Sequence, residues 1–575
     1  MTNDSAYQRW LLMCRNEKIL FEELKRLRND PHATEDRFYT DLGFGTGGMR
    51  GLLGAGPNRI NIFTIRRAAA GLAEHLISYS GAQRRSVVIA YDSRYDSDRF
   101  ALDAALVLAG RGIQALLFDA LRPVPVLSYA VRHLGADAGI AITASHNPPE
   151  YSGFKVYGSD GAQITPATAQ AITGRIGKLQ YTECVPMEQG EAERKGLLCL
   201  IGNADVDDDY IGMILDLMVR PEAVNAHGGN LRIVYTPLHG TGNVPVRRAL
   251  KEAGFTRVTV VREQELPDPS FATVKSPNPE DPDALAMAVV KAREIEADIV
   301  MGTDPDCDRL GACVRDEKGE YVALNGNQIG CLLLHHLLEE KTKMNSLPQN
   351  AAVVKTIVTT DLARAICGDF GVTVFDTLTG FKYIGEMIGK FDQSGEYTFL
   401  FGFEESYGFL SSPHIRDKDA VNAAVLLAEA ACLSQTAGSS LYERLQQIYR
   451  RYGYFHEETL TLDFPGKEGA LHMRRLMDIM RRQPPGMCAG LPVIAIRDYL
   501  SGFRVEGESS TPLNCPASDV LFWEFEGGHW LCLRPSGTEP KIKVYVSCRD
   551  AGDMQKARKL GSDLLNQVVL LLKSL

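Results

Sequence analysis

The segment Gly139-Ile-Ala-Ile-Thr-Ala-Ser-His-Asn-Pro-Pro149 leaves a serine on a tight turn. The apolar run Ile140 to Ile142 reads as a buried strand, and two prolines then forbid its continuation. Ser145 stands at that strand-to-loop junction with His146 and Asn147 beside it. This is where α/β proteins place nucleophiles and phosphate ligands. Taken alone, the hydroxyl suits an acyl-transfer nucleophile as well as a phosphate carrier.

Asp304-Pro-Asp-Cys-Asp-Arg309 follows an expected strand at Asp298 to Met301. Three carboxylates at alternate positions of an extended loop can converge on one hard cation, and oxygen ligands favour magnesium. A calcium loop is excluded, because Arg309 and Arg315 stand where glycine and glutamate are required. The plain alternative is a solvated acidic turn. Arg534-Pro-Ser-Gly-Thr-Glu-Pro540 offers an arginine, two hydroxyls and a glycine, the parts of a phosphate nest, with Lys541 and Lys543 close behind. An ordinary hairpin turn uses similar residues. Gly402-Phe-Glu-Glu-Ser406 ends a strand expected at Thr398 to Phe401. Its carboxylates and serine can grip sugar hydroxyls, or can open a helix with a favourable dipole interaction.

Other candidates are weaker. Arg94, Lys155 and Lys382 each read singly as surface cations, and Arg416-Asp-Lys-Asp419 as a solvated or salt-bridged turn. Gly43-Phe-Gly-Thr-Gly-Gly48 has dinucleotide-loop spacing but no convincing strand before it, so it is set aside. His239 lacks a histidine or cysteine partner at metal spacing, which favours a structural role in its glycine-rich turn.

The elements that position these groups alternate along the chain. Residues 7–40 read as charged helix. Strands are then expected at Ser86 to Tyr91, Gln114 to Phe118, Gly139 to Ile142, Leu231 to Tyr235, Val258 to Val261, Asp298 to Met301, Val353 to Val358, Val372 to Phe375 and Thr398 to Phe401. Helical patterns such as Arg99 to Ala109 lie between them, which predicts parallel sheets with crossover helices. After about residue 455 shorter strands and two helical stretches, Leu471 to Arg482 and Asp553 to Leu572, describe a smaller α+β domain. Pro267 to Pro282 reads as loop.

A chain of 575 residues exceeds one hydrophobic core and should form about three to five domains. With 62 basic and 72 acidic residues the net charge is -10, which argues against a general nucleic-acid binder. An anionic substrate then requires a locally basic pocket. The twelve cysteines form no Cys-x-x-Cys pair and read as reduced thiols of a cytoplasmic protein, with Cys307, Cys313 and Cys331 as small buried hydrophobes. The N-terminus carries no signal pattern, and the apolar tail Val568 to Leu572 is too short to span a bilayer.

Taken together and in order, Thr143-Ala-Ser-His-Asn-Pro148, Asp304 to Arg309, Gly402 to Ser406 and Arg534 to Pro540 resemble the α-D-phosphohexomutase superfamily. Gly45-Thr-Gly-Gly-Met-Arg50 is similar to its N-terminal motif, so the likeness runs from about residue 40 to the end. It implies an α/β fold of three similar mixed-sheet domains and a smaller C-terminal α+β domain around a central cleft. On this chain the domains would span 1–205, 206–320, 321–455 and 456–575.

The resemblance also implies a chemistry. Phosphorylated Ser145 would pass its phosphoryl group to the free hydroxyl of a sugar monophosphate, and the other phosphate of the bisphosphorylated intermediate would return to Ser145. Glucose 1,6-bisphosphate would be activator and intermediate. Asp304, Asp306 and Asp308 would hold one magnesium against the Ser145 phosphate, with Arg309 adding fixed positive charge. Glu404 and Ser406 would grip the sugar, and Arg534, Ser536, Gly537 and Thr538 the phosphate that is not reacting. Arg50, Arg94 and Lys418 are expected among the substrate contacts. Lys155 and Lys382 fall near the reacting hydroxyl as general acid or base, and His146 orients the serine loop. The implied partner is a phosphosugar, without nucleic acid or membrane, bound by a monomer or homodimer.

Two departures stand out. Tyr407-Gly-Phe replaces the glycine and histidine that amino-sugar mutases carry after the sugar-loop serine, and Phe403 stands where glycine is more usual. Interconversion of glucose 1- and 6-phosphate is the leading expectation. Mannose or pentose phosphates, release of glucose 1,6-bisphosphate, and a silent sugar-phosphate sensor are the alternatives.

Overall fold

The computed structural model describes residues 3–45, 47–78, 85–464, 466–536 and 541–574. Gly537 and Thr538 of the expected phosphate loop lie outside them. Three helices, Asn3–Met13, Lys18–Leu27 and Pro31–Phe38, form the N-terminal cap. Trp10 packs edge-on against Phe38 and Phe63, joining the cap to the first domain.

Four sheets follow. The first holds β1 (Gly48–Leu52), β2 (Ser86–Tyr91), β3 (Gln114–Phe118), β4 (Ala138–Ile142), β5 (Tyr151–Gly158) and β6 (Leu198–Ile201), in the order β1-β5-β4-β2-β3-β6. The second holds β7 (Arg232–Thr236), β8 (Arg257–Val260), β9 (Ile299–Thr303), β10 (Leu310–Arg315) and β11 (Tyr321–Leu324), ordered β11-β10-β9-β7-β8. The third holds β12 (Ala351–Thr356), β13 (Thr373–Thr377), β14 (Thr398–Glu404) and β15 (Gly408–Leu410), ordered β13-β12-β14-β15. The last is antiparallel, with β16 (Tyr454–Asp463), β17 (Met487–Cys488), β18 (Leu491–Asp498), β19 (Phe503–Glu506), β20 (Ser509–Pro512), β21 (Leu521–Phe525), β22 (His529–Pro535) and β23 (Lys541–Asp550).

The chain therefore has three mixed α/β domains and a smaller C-terminal domain. Alternation of strand and helix predicts parallel sheets, and here the structure corrects the pattern. β2, β3, β4 and β6 are parallel, but β5 returns antiparallel to β4, and β1 to β5. The second sheet turns antiparallel at β9 to β10 and the third at β14 to β15. These turning points are where the serine, acidic and Glu-Glu-Ser motifs lie, and the Arg534 motif joins the antiparallel pair β22 and β23. A loop between antiparallel neighbours can be short, with both ends in one ladder, whereas parallel strands need a long crossover. β11 lies just past the expected boundary at residue 320 yet pairs with β10, and β16 begins at Tyr454, before the expected boundary at 456.

One apolar core runs through the first three domains. Its axis is the helix Ala420–Thr436, whose residues from Ala420 to Cys432 are all buried, as an all-round apolar helix requires. The C-terminal domain has its own core, built on Trp523, Leu531 and Val546. A smaller cluster joins it to the third domain, packing Ile357, Val358 and Leu378 against Phe522, Trp530 and Tyr545.

Phe403 belongs to this packing and not to the sugar loop's surface. Side chains alternate along β14, so Glu404 and Phe403 face opposite ways. Phe403 is fully buried beside Phe401, its ring filling the space that Gly330 leaves on the helix Gly326–Lys343. A Cβ at Gly330 would lie 2.2 Å from that ring. Gly330→Ala should therefore destabilise by about 1–3 kcal/mol despite alanine's better helix propensity. Adding Phe403→Leu should return part of the loss; a raised melting temperature for Gly330→Ala would contradict this packing.

Candidate active site

β4 is buried at every position and delivers Ser145 to a loop that bends sharply. Ser145 has φ 55, a left-handed conformation that a non-glycine residue adopts at a cost of about 1–3 kcal/mol. Two devices hold it there. Its backbone N–H donates to Thr143 Oγ1 at 2.8 Å. The Arg94 guanidinium donates to the carbonyls of Ser145 and Asn147, both at 2.5 Å, of Pro148 at 2.8 Å and of Tyr151 at 3.0 Å. Arg94 is 3% exposed, paired with Asp92 at 3.1 Å, and its guanidinium lies over the Phe271 ring. Read singly it is a surface cation; in the structure it is buried and clamps the serine loop through backbone oxygens. Arg50 reaches the same loop from β1, donating to Asn147 Oδ1 at 2.9 Å.

The acidic loop leaves β9, itself buried throughout. Asp304, Asp306 and Asp308 are at most 1% exposed, and one carboxylate oxygen from each lies within 4.8 Å of the others. Ser145 Oγ donates to Asp304 Oδ2 at 3.0 Å, joining the first and second domains. Asp304 Oδ1 accepts the backbone N–H groups of Asp308 and Arg309, at 3.1 and 3.0 Å. Asp306 Oδ2 accepts from Lys155 Nζ at 2.7 Å and Thr143 Oγ1 at 3.2 Å. Lys418 Nζ lies 3.1 Å from Asp308 Oδ2. Asp306 Oδ1 and Asp308 Oδ1 are buried without a hydrogen-bond partner among the described residues. Two such oxygens on neighbouring carboxylates are a costly deficit, and an all-oxygen set fits a hard divalent cation. The intervening Cys307 turns into the core at φ 52.

Burial and the two neighbouring carboxylates push the Asp304 pKa well above the usual range. Burial acts in the same direction on Asp306, but Lys155 outweighs it and holds that carboxyl low. Arg309 completes the positive side, ion-paired with Glu280 and 3.9 Å from Asp308. His146 Nδ1 is 3.2 Å from Ser145 Oγ. Burial, with Arg309 and Arg50 nearby, holds its pKa well below that of a free imidazole, so it meets the serine as a neutral ring. Its backbone oxygen accepts from Ser276 Oγ at 2.8 Å.

Glu404 is the last residue of β14, and Ser406 sits in the turn to β15, so the motif is a hairpin and not a helix start. Glu404 Oε1 accepts the Gly380 N–H at 2.9 Å. Burial raises its pKa to about 7 against the pull of Lys418. Glu405 accepts from the Thr356 and Thr359 hydroxyls at 3.2 and 3.3 Å. Lys382 opens the helix Phe381–Ser394, its ammonium 5.1 Å from the Tyr383 ring. Burial and Arg534 lower its pKa. Arg534 lies on β22 opposite Lys543, 3.4 Å from the Tyr545 hydroxyl, and has no ion pair among the described residues. The Ser536 N–H donates to Lys541 O at 2.7 Å, closing the base of that hairpin.

Lys155, Lys418, Arg309 and His146 thus gather at Ser145 and the three aspartates, while Lys382 lies toward Arg534. Thr143, which opens the serine motif, and Asp92, Phe271 and Glu280 support the site, and none of them is among the expected site residues. Thr143 and Asp92 lie two residues from Ser145 and Arg94 in sequence; Phe271 and Glu280 come from the proline-rich loop. His239 is structural, its two ring nitrogens engaged by Leu266 O at 3.0 Å and Thr273 Oγ1 at 2.8 Å.

Comparison with known proteins matches all four domains of the chain. Family models described as phosphoglucomutase/phosphomannomutase alpha/beta/alpha domains I, II and III match residues 41–183, 208–319 and 325–452, and the C-terminal domain model matches 505–559. The phosphoglucomutase of Staphylococcus haemolyticus is 37% identical over 542 residues, covering 93% of this chain and 94% of its own. That of Staphylococcus aureus strain MSSA476 is 38% identical over 528 residues, covering 90% and 92%. Among solved structures, Paramecium parafusin, a phosphoglucomutase in its open form, shares the fold at TM-score 0.69 and 16% identity, covering 93% of this chain and 95% of its own.

The raised pKa of Glu404 has a sign that can be checked. A carboxyl that titrates near 7 when folded and near 4.5 when unfolded makes folding take up a proton between those values. Its contribution is full below pH about 4.5 and is lost as pH rises toward 7. Glu404→Gln should remove roughly 1–3 kcal/mol of that decline. Denaturant midpoints of both proteins at pH 5 and pH 8 measure it; identical pH slopes would contradict the assignment.

Proposed function

The chain belongs to the phosphoglucomutase/phosphomannomutase family, and on that premise we propose that it interconverts glucose 1-phosphate and glucose 6-phosphate through phosphorylated Ser145. The observation that carries the reading is the Ser145 hydroxyl held 3.0 Å from a buried aspartate triad and ringed by cations. An acyl-transfer serine needs a base and an oxyanion hole, and is poorly served by three carboxylates. A phosphate carrier needs charge neutralisation and in-line placement, which these residues supply.

Phosphorylated Ser145 presents its phosphoryl group to the free hydroxyl of a sugar monophosphate. The serine O–P bond breaks as the sugar O–P bond forms, and the hydroxyl proton leaves. Lys155 bridges Asp306 and Asp308, and we assign it the relay, giving one proton to the departing Ser145 oxygen and taking the hydroxyl proton in its place. Arg309 and Lys418 face the charge that develops on the phosphoryl oxygens. His146, neutral and within reach of Ser145 Oγ, orients the serine. Asp304, Asp306 and Asp308 would hold magnesium, which would offset charge on the same oxygens. Glu404 and Ser406 accept and donate to sugar hydroxyls, and Arg534 with Ser536 binds the distal phosphate near Lys382. Glucose 1,6-bisphosphate then turns over and rephosphorylates Ser145 from its other end. The preference for glucose rests on the relatives named above and on Tyr407-Gly-Phe, which departs from the amino-sugar pattern. All twelve cysteines are unpaired and ten are buried, which supports the expected reducing, cytoplasmic setting. No single helix among the described residues is long and apolar enough to cross a membrane.

Ser145→Ala should lower turnover at least about a thousandfold with an unchanged melting temperature. Ordinary turnover in that variant would end the mechanism. A chelator should abolish activity and added magnesium restore it; indifference to both would refute the metal role of the triad. Initial rates with glucose 1-phosphate, mannose 1-phosphate and ribose 1-phosphate, each with a trace of bisphosphate, should be highest for glucose. A faster pentose would transfer the assignment to a phosphopentomutase.

A further inference from the structure

A buried chain of contacts outside the four motifs ends on one of the site's cations. Tyr157 is fully buried on β5, two residues beyond Lys155 and so on the same face of the strand. Its hydroxyl donates to Asp417 Oδ2 at 2.9 Å. The other oxygen of that carboxylate accepts the Lys418 backbone N–H at 2.8 Å and its Nζ at 3.0 Å. The same ammonium then reaches Asp308 Oδ2 at 3.1 Å. Burial, with Asp417 beside it, keeps the phenol protonated and therefore the donor. Asp417 is opposed by burial but held ionised by Lys418 and Lys155.

The segment that bears Asp417 and Lys418 is fixed from three directions. The Arg416 N–H donates to Ser128 Oγ of the first domain at 3.0 Å. The Tyr210 hydroxyl donates to Asp419 Oδ1 at 2.9 Å, and the Ala420 N–H to Cys307 O of the metal loop at 3.3 Å. With the backbone held this firmly, the remaining freedom lies in the four-carbon stem of Lys418. Glu404 also attracts that ammonium, so its position is a choice between the sugar loop and the metal loop.

We propose that Tyr157 and Asp417 are positioning residues that fix the Lys418 ammonium against the metal-loop carboxylates. β5 then places both lysines of the reaction, Lys155 directly and Lys418 through Asp417. This rests on the mutase reading, in which Lys418 meets the substrate.

Tyr157→Phe removes one hydroxyl from a filled site and should leave the fold intact. It is expected to lower kcat/KM at least about tenfold, the scale of one hydrogen bond to a charged group. In a Lys418→Met background the same change should cost less than about twofold, because its effect runs through Lys418. Asp417→Asn, which keeps the side chain's shape, should show the same dependence on Lys418. Equal losses in both backgrounds, or no loss in the wild-type background, overturn the proposal. An inactive wild-type chain would instead sink the mutase reading, and a crystal structure of Tyr157→Phe then decides. A displaced ammonium supports the positioning role; one still bridging Asp308 and Asp417 refutes it.

Discussion

Three aspartates shut away from water within a few ångströms of one another set the terms for the whole centre. Buried like charges are tolerated only when cations and hydrogen bonds surround them. Asp304 draws on two backbone N–H groups of its own loop, but Asp306 and Asp308 depend on Lys155 from the first domain and Lys418 from the third. The acidic loop of one domain is thereby completed by ammonium groups from its two neighbours. Charge balance and domain arrangement are one constraint, and the Ser145 hydroxyl lies where both are met.

The sheets serve this constraint through a repeated device. In each of the first three domains a parallel core ends in a functional loop, and the chain then returns along the adjacent strand in the opposite sense. Both ends of each loop are tied into one ladder, so the loop tip can hold a strained residue such as Ser145 without unravelling. Arg94 adds a second restraint by drawing four carbonyls of the serine loop toward one guanidinium.

Much of this was legible in the sequence. Nine strands expected in the first three domains lie within a few residues of observed ones, because buried strands are dense apolar runs that few other segments imitate. The motifs to which we assign phosphate, metal and sugar chemistry were legible because they are contiguous. The return strands were not: β1, β5, β10 and β15 are short or carry polar residues, and direction is set by pairing, which no single strand encodes. Nor was the role of Arg94 legible, since its partners are backbone atoms more than fifty residues away. Phe403 looked like an intruder in the sugar loop until strand alternation and Gly330 placed its ring on the far side.

The bonds that assemble the centre span long stretches of chain. Ser145 meets Asp304 across 159 residues, Thr143 meets Asp306 across 163, and Tyr157 meets Asp417 across 260. Contacts of such separation form late, because the loops they close must be paid for in entropy before the contacts reward it. The sheets can therefore form as the polypeptide emerges, but the constellation around Ser145 waits for residue 418 and the docking of three folded bodies. During synthesis the nascent chain carries a serine loop with no acidic partner and acidic residues without their ammonium counterparts, and Arg534, proposed to bind the distal phosphate, emerges later still.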